Sequence, residues 1–158
     1  MIMNGDPECV SLRFPSHTRY LGLVSGCAAE ICRMMGSAGN AALVYDVQLS
    51  INEAVVNAIQ HAYAGRSDGW VAVDFSLYAD RLEISIIDWG QGFDWQELPV
   101  PDLSQPLEHG YGLYLVCRVM DEVIYHADPI QGNCLHLIKR LPGPLRKDGS
   151  DGNDSGGR

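Results

Sequence analysis

No apolar run in this 158-residue chain approaches the roughly 20 residues that a membrane-spanning helix needs. Its opening residues, MIMNGDPECV, lack the basic patch and apolar stretch of a secretory signal. Basic residues are scarce: 11 Lys plus Arg stand against 20 Asp plus Glu, a formal net charge of −9. That balance repels phosphate backbones and anionic headgroups, which disfavours direct nucleic-acid binding and membrane-surface attachment. The cysteines at 9, 27, 32, 117 and 134 include no CxxC pair, and the five histidines fall at unrelated spacings. We read the thiols as reduced and mostly buried in a cytoplasmic protein, rather than as a disulfide framework or metal cluster. Neither GK[ST] nor a G-x-G-x-x-G following a strand occurs, so the P-loop and the Rossmann fingerprint are both missing.

What remains is enough for one compact domain: 46% of residues are hydrophobic and 20% charged. Residues 9–14 read as a strand closed by Pro15, followed by a helical repeat of apolar positions over 17–35. A second helix is expected over 41–63, strands over 70–78 and 81–88, a third helix over 111–120, and strands over 122–127 and 134–140. Between them lies a long irregular segment, 89–109, rich in Gly and Pro, of a length that is usually functional or mobile. Residues 142–158 carry Gly, Asp and Ser and read as a disordered tail. The expected architecture is an α/β two-layer sandwich: a mostly antiparallel mixed sheet of about five strands covered by three helices.

The second helix holds SINEAVVNAIQHAY, residues 50–63. At 100° per residue, Val44, Val47, Ile51, Val55, Ala58 and Ala62 fall in one arc of about 80°. Asp46, Ser50, Glu53, Asn57 and His61 fall in another arc of about 80°, on the other side. Two readings stand. The row is the solvated face of an amphipathic helix, or it is an active-site wall. In the second reading Glu53 holds or deprotonates a hydroxyl, and Asn57 offers an oxygen to Mg²⁺, which keeps phosphate and water as its other ligands.

Two glycine segments bear on the choice. IIDWGQGFD, 86–94, ends a buried strand on Asp88 and follows it with Gly90 and Gly92. It is either a simple turn or an acceptor for an exocyclic amine beside backbone that can approach a flat ring. HGYGLYLVCRVMDEV, 109–123, runs Gly110, Tyr111, Gly112 and Leu113 into the third helix. That is either a flexible helix entry or a phosphate cradle of free N–H groups.

In order, E-x3-N-x3-H on a helix, D-x-G-x-G after a strand and G-x-G-L into a helix resemble the GHKL ATPase superfamily. NEAVVNAIQHAY, DWGQGFD and GYGLYLVCRVMDEV look most like the anti-sigma factor serine/threonine kinases of bacteria, over residues 8–141. The resemblance implies the ATP-binding fold of that superfamily. It also implies roles: Glu53 as catalytic base, Asn57 as Mg²⁺ ligand, Asp88 as reader of the adenine amine, with Gly90 and Gly92 shaping that pocket. Gly110 and Gly112, with Tyr111 and Leu113 between and after them, would line the phosphate side, and His61 matches a position near the pocket. It further implies ATP and Mg²⁺ as cofactors, a STAS-type anti-anti-sigma protein as substrate, a sigma factor as second partner, and a homodimer. One departure is set against it: no Lys or Arg occurs from Leu82 to Cys117. Phosphate charge must then be met by Mg²⁺, backbone N–H groups and a helix terminus, so slow transfer by the isolated chain is expected. The alternative is a nucleotide-binding module that sequesters partners with little or no kinase activity.

Overall fold

The computed structural model describes residues 6–37, 39–94 and 111–142. Five strands form one sheet in the order β1-β2-β3-β5-β4: β1 Glu8–Pro15, β2 Trp70–Leu77, β3 Arg81–Asp88, β4 Glu122–His126 and β5 Asn133–Arg140. All four pairings are antiparallel. The expected sheet was mostly antiparallel and mixed; no parallel pair occurs among the described strands, because β2–β3 and β4–β5 are hairpins and the remaining neighbours also run oppositely.

Alternation along the strands decides which face is covered. Val71, Val73, Phe75 and Leu77 on β2, Leu82, Ile84 and Ile86 on β3, and Leu135 and Leu137 on β5 are all buried. Each such side chain contributes about 1.5–3 kcal/mol relative to exposure. They meet the helices α1 Leu21–Cys32, α2 Ala41–Asn57 and α3 Gly112–Val119. α2 is central in that layer, packed against α1 on one side and α3 on the other. Asn40 caps it, its Oδ1 accepting from Leu43 N at 3.0 Å.

Both long helices end in wider turns than the periodicity implies. α1 passes into a π-type turn, Arg33–Ser37, where Gly36 sits at φ 79°. α2 continues as a π-type turn, Ala58–Ala62, closed by Tyr63 N–H donating to Ala58 O at 3.3 Å. Such turns are frequent at functional sites.

Burial also corrects the thiols. Cys32 is buried and its pKa is pushed up to about 11 by that burial. Cys9 and Cys117 are exposed, however, so the cysteines are not mostly buried: their strand and helix positions face away from the core. The tail from 143 onward, residues 95–109 of the long segment, and Gly110 lie outside the described residues.

Candidate active site

The polar row of α2 is not one solvated face. Asp46 accepts from Lys139 Nζ at 2.9 Å in a half-buried ion pair. Ser50 is fully buried, with no partner for its Oγ. Glu53 and Asn57 are half-buried, and His61 is exposed. A helix flanked on two sides buries a wider sector than its apolar arc, which takes in Ser50. The π-type turn after Asn57 is wider than an α turn, so His61 falls short of alignment with Glu53 and Asn57.

The two glycine segments meet α2 at either end of this row. A Cβ on Gly112 would stand 2.1 Å from Glu53 Oε2. Gly112 is the first residue of α3, and no side chain caps that helix at Tyr111. The Glu53 carboxylate therefore sits beside the first turn of α3, whose N–H groups lack intrahelical partners and carry the positive end of the helix dipole. Leu113 is buried and anchors the same turn in the core. At the other end, a Cβ on Gly90 would stand 2.2 Å from Ala62 O. That carbonyl accepts from Gln91 N at 2.9 Å.

Asp88 ends β3 and points to the helix side of the sheet. Its Oδ1 accepts from Gly90 N at 3.0 Å and from Asn133 Nδ2 at 2.8 Å. Asn133 Nδ2 also donates to Gly90 O at 3.0 Å. Both of Asp88's bonds fall on one oxygen, so Oδ2 keeps its acceptor sites open among the described residues. Burial raises the Asp88 pKa, while the Asn133 and Gly90 bonds pull it back in part. Gly92 lies across from this pair, its absent Cβ 3.0 Å from Asn133 Oδ1 and 3.3 Å from Tyr125 Oη.

Sequence reasoning passed over three residues that build this corner. Asn133 reads as part of a turn, yet it opens β5 and pairs directly with Asp88 in the ladder. Tyr63 is buried and its hydroxyl donates to Trp70 O at 2.6 Å while accepting from Trp89 N at 2.7 Å. Tyr125 Oη accepts from Phe93 N at 3.2 Å, and the two rings stack at 4.2 Å. The only advance sign of Asn133 was its place just after Gly132, which sits at φ 101° against Asp88 O.

The structure thus brings Gly112 against Glu53 on α2, Gly90 against Ala62 in the turn that continues α2, and Asp88, Gly90 and Gly92 together around Asn133. His61 is exposed, and Gly110 is outside the described residues. A carboxylate at a free helix terminus, an amide oxygen one turn on and an open carboxylate oxygen at the far end suit a magnesium-bound nucleotide. The donors are all oxygen, as Mg²⁺ requires.

Comparison with known proteins bears on this arrangement. Residues 14–139 match the histidine kinase-like ATPase domain. The serine-protein kinase RsbW of Bacillus pumilus is 33% identical over 136 residues, 80% of this chain and 83% of the relative. That of Bacillus cereus strain Q1 is 35% identical over 124 residues, 73% of this chain and 76% of the relative. The Bacillus subtilis protein is 30% identical over 129 residues, covering 77% and 79%. The crystal structure of the RsbU and RsbW domains of a Mycobacterium tuberculosis protein superposes with a TM-score of 0.64 at 21% identity. This chain is covered to 87% and spans 33% of that longer chain. The chain belongs to the histidine kinase-like ATPase domain family and, within it, to the serine-protein kinases of the RsbW type.

Proposed function

We propose that the chain is an ATP-dependent serine kinase that phosphorylates a STAS-type anti-anti-sigma protein and, in the competing complex, holds a sigma factor from RNA polymerase. The observation that carries this reading is the Glu53 carboxylate set against the uncapped start of α3. Glu53 accepts the proton of the incoming hydroxyl as its oxygen bonds to the γ-phosphorus and the bond to the bridging oxygen breaks, releasing ADP. N–H groups of the first turn of α3 take the phosphate oxygens, and Asn57 supplies an oxygen to Mg²⁺. When bound, the metal neutralises phosphate charge. Asp88 Oδ2 accepts from the adenine amine while Asn133 and Gly90 hold the carboxylate in place. Gly92 leaves room beside them. His61 receives no chemical role. The family resemblance supports a homodimer.

The absence of Lys and Arg from Leu82 to Cys117 favours a second reading, a sequestering module with nucleotide as ligand. Glu53→Gln separates the two. Titration with ADP and Mg²⁺ is expected to be retained in the variant, and radiolabel transfer to the partner lost. Transfer absent from wild type and variant alike, with nucleotide still bound, establishes the module. No nucleotide binding to either rejects both readings.

A further inference from the structure

The sheet's uncovered face carries a cleft that takes up none of the proposed nucleotide contacts and shares with that corner the Tyr63 wall. It encloses ≈ 400 Å³ and is lined by Arg13, Tyr63, Arg66, Asp68, Gly69, Trp70 and Trp89. Residue parity sets it back to back with Asp88: Asp88 points toward the helices, and Trp89 turns to the other side. There the Arg13 guanidinium lies 5.2 Å from the Trp70 ring centroid and 5.1 Å from that of Trp89. Both indoles are conspicuously open, at 46% and 44% exposure.

The cleft wall is built rather than loose. Ser16 Oγ donates to Arg66 O at 2.7 Å and accepts from Gly69 N at 3.2 Å, and Ser16 N–H donates to Gly69 O at 2.9 Å. The Tyr63 hydroxyl ties the start of β2 to Trp89. The absent Cβ of Gly132 leaves 2.9 Å to Trp89 Nε1, so the indole backs onto the β4–β5 turn.

Arg33, Arg66, Arg81, Lys139 and Arg140 each have a carboxylate within reach. Arg13, Arg19 and Arg118 are the described basic residues with no carboxylate within salt-bridge reach, and of these three Arg13 alone lies over aromatic rings. The Arg13 guanidinium lies over both rings and its N–H groups have no acceptor among the described residues, which leaves its planar fork available to a carboxylate. Exposed Trp and Arg together are also the residue types that dominate binding energy at protein interfaces. On a chain of net charge −9 a long polyanion is repelled, whereas one short acidic segment is accommodated locally.

We propose that this cleft docks an acidic segment of a partner protein: a carboxylate on the Arg13 fork, flanked by an apolar side chain against Trp70 and Trp89. The site is independent of nucleotide and stands whether or not the chain transfers phosphate.

The test is a random-dodecapeptide display selection on the whole chain without nucleotide, counter-selected on Arg13→Gln. A peptide from the Arg13-dependent pool is then titrated by tryptophan fluorescence. The expected pool is rich in Asp or Glu beside Leu, Phe or Met. Arg13→Gln weakens the peptide at least about tenfold, and Arg13→Lys, which keeps charge but not the planar fork, weakens it less. Exchanging the peptide's carboxylates for amides weakens it similarly on wild type, a comparison that needs no protein variant. No Arg13-dependent pool, a pool without carboxylate enrichment, or a peptide indifferent to the amide exchange overturns the proposal. So does inorganic phosphate competing while no peptide binds, which makes the cleft a small-anion site.

Discussion

Gly90 and Gly112 sit in two glycine segments that look alike in the sequence, and each lies against α2 or the turn that continues it, yet they face different matter. Gly90 leaves its space to a backbone carbonyl, Ala62 O, which is fixed by the helix that carries it. Gly112 leaves its space to the far end of a side chain, Glu53 Oε2, which can swing aside. The first glycine answers to the fold, and it would be needed with no ligand at all. The second answers to the carboxylate that the proposed chemistry uses. Proximity to a site therefore does not separate structural glycines from functional ones; the kind of atom opposite does.

Breaking the contrast at its stronger pole gives the largest effect. Gly90→Ala forces a methyl into a 2.2 Å gap beside backbone. Either the end of α2 or the Asp88 loop must shift, and about 2–4 kcal/mol of unfolding free energy should be lost. Urea titration checks this, and a variant as stable as wild type would remove the structural assignment of Gly90.

Tyr63→Phe comes next. The phenol ring stays in the core, while Trp89 N–H and Trp70 O lose a bridging hydroxyl at 2.7 and 2.6 Å. Leaving such groups unpaired costs about 1–3 kcal/mol. Thermal unfolding should register it, together with faster amide exchange at Trp89. A melting temperature equal to wild type would mean that water replaces the hydroxyl.

These anchors also mark where the sequence stops being readable. Strand alternation in WVAVDFSL and LEISIID placed β2 and β3 to within a residue. Helical spacing likewise located α2, and the three motifs brought Glu53, Asn57 and Asp88 to notice. What a lone helix cannot report is its neighbours: Ser50 is buried because α1 and α3 flank α2. Nor does periodicity anticipate a π-type turn, so His61 was aligned with Glu53 when the backbone turns it aside. Asn133 and the Arg13 cleft depend on register between strands distant in sequence. The pairing Asp88↔Asn133 exists only once β3 and β5 are side by side.

Gly112→Ala probes the weaker pole. Alanine favours the helix by up to about 1 kcal/mol over glycine, and the displaced group is the end of a flexible side chain. Stability should stay within about 1 kcal/mol of wild type. Phosphoryl transfer should nevertheless fall about tenfold or more, because Glu53 is pushed from the start of α3. Equal activity would show that the carboxylate's position there is not used. Loss of stability matching Gly90→Ala would erase the distinction between the two glycines.

Of these variants Asp88→Asn should change stability least, and its signature lies in the pH dependence. Burial raises the Asp88 pKa from 3.8, so the folded protein holds this proton more tightly than the unfolded chain. A carboxyl raised in this way adds stability that is complete below its unfolded pKa and is lost as pH climbs through the raised folded value. The asparagine variant has no such proton, and its Oδ1 still accepts from Gly90 N and Asn133 Nδ2. The difference in unfolding free energy, variant minus wild type, should therefore rise with pH from near 3.8 and level off once the wild-type carboxyl is fully ionised. Other carboxylates cancel in the subtraction. Over the plateau the variant should also bind ADP more weakly, because the open oxygen opposite the amine is no longer guaranteed to be an acceptor. A flat difference would mean that Asp88 is effectively solvated in the folded state, whereas a rising difference with unchanged ADP affinity would leave its burial intact and move adenine recognition to another group.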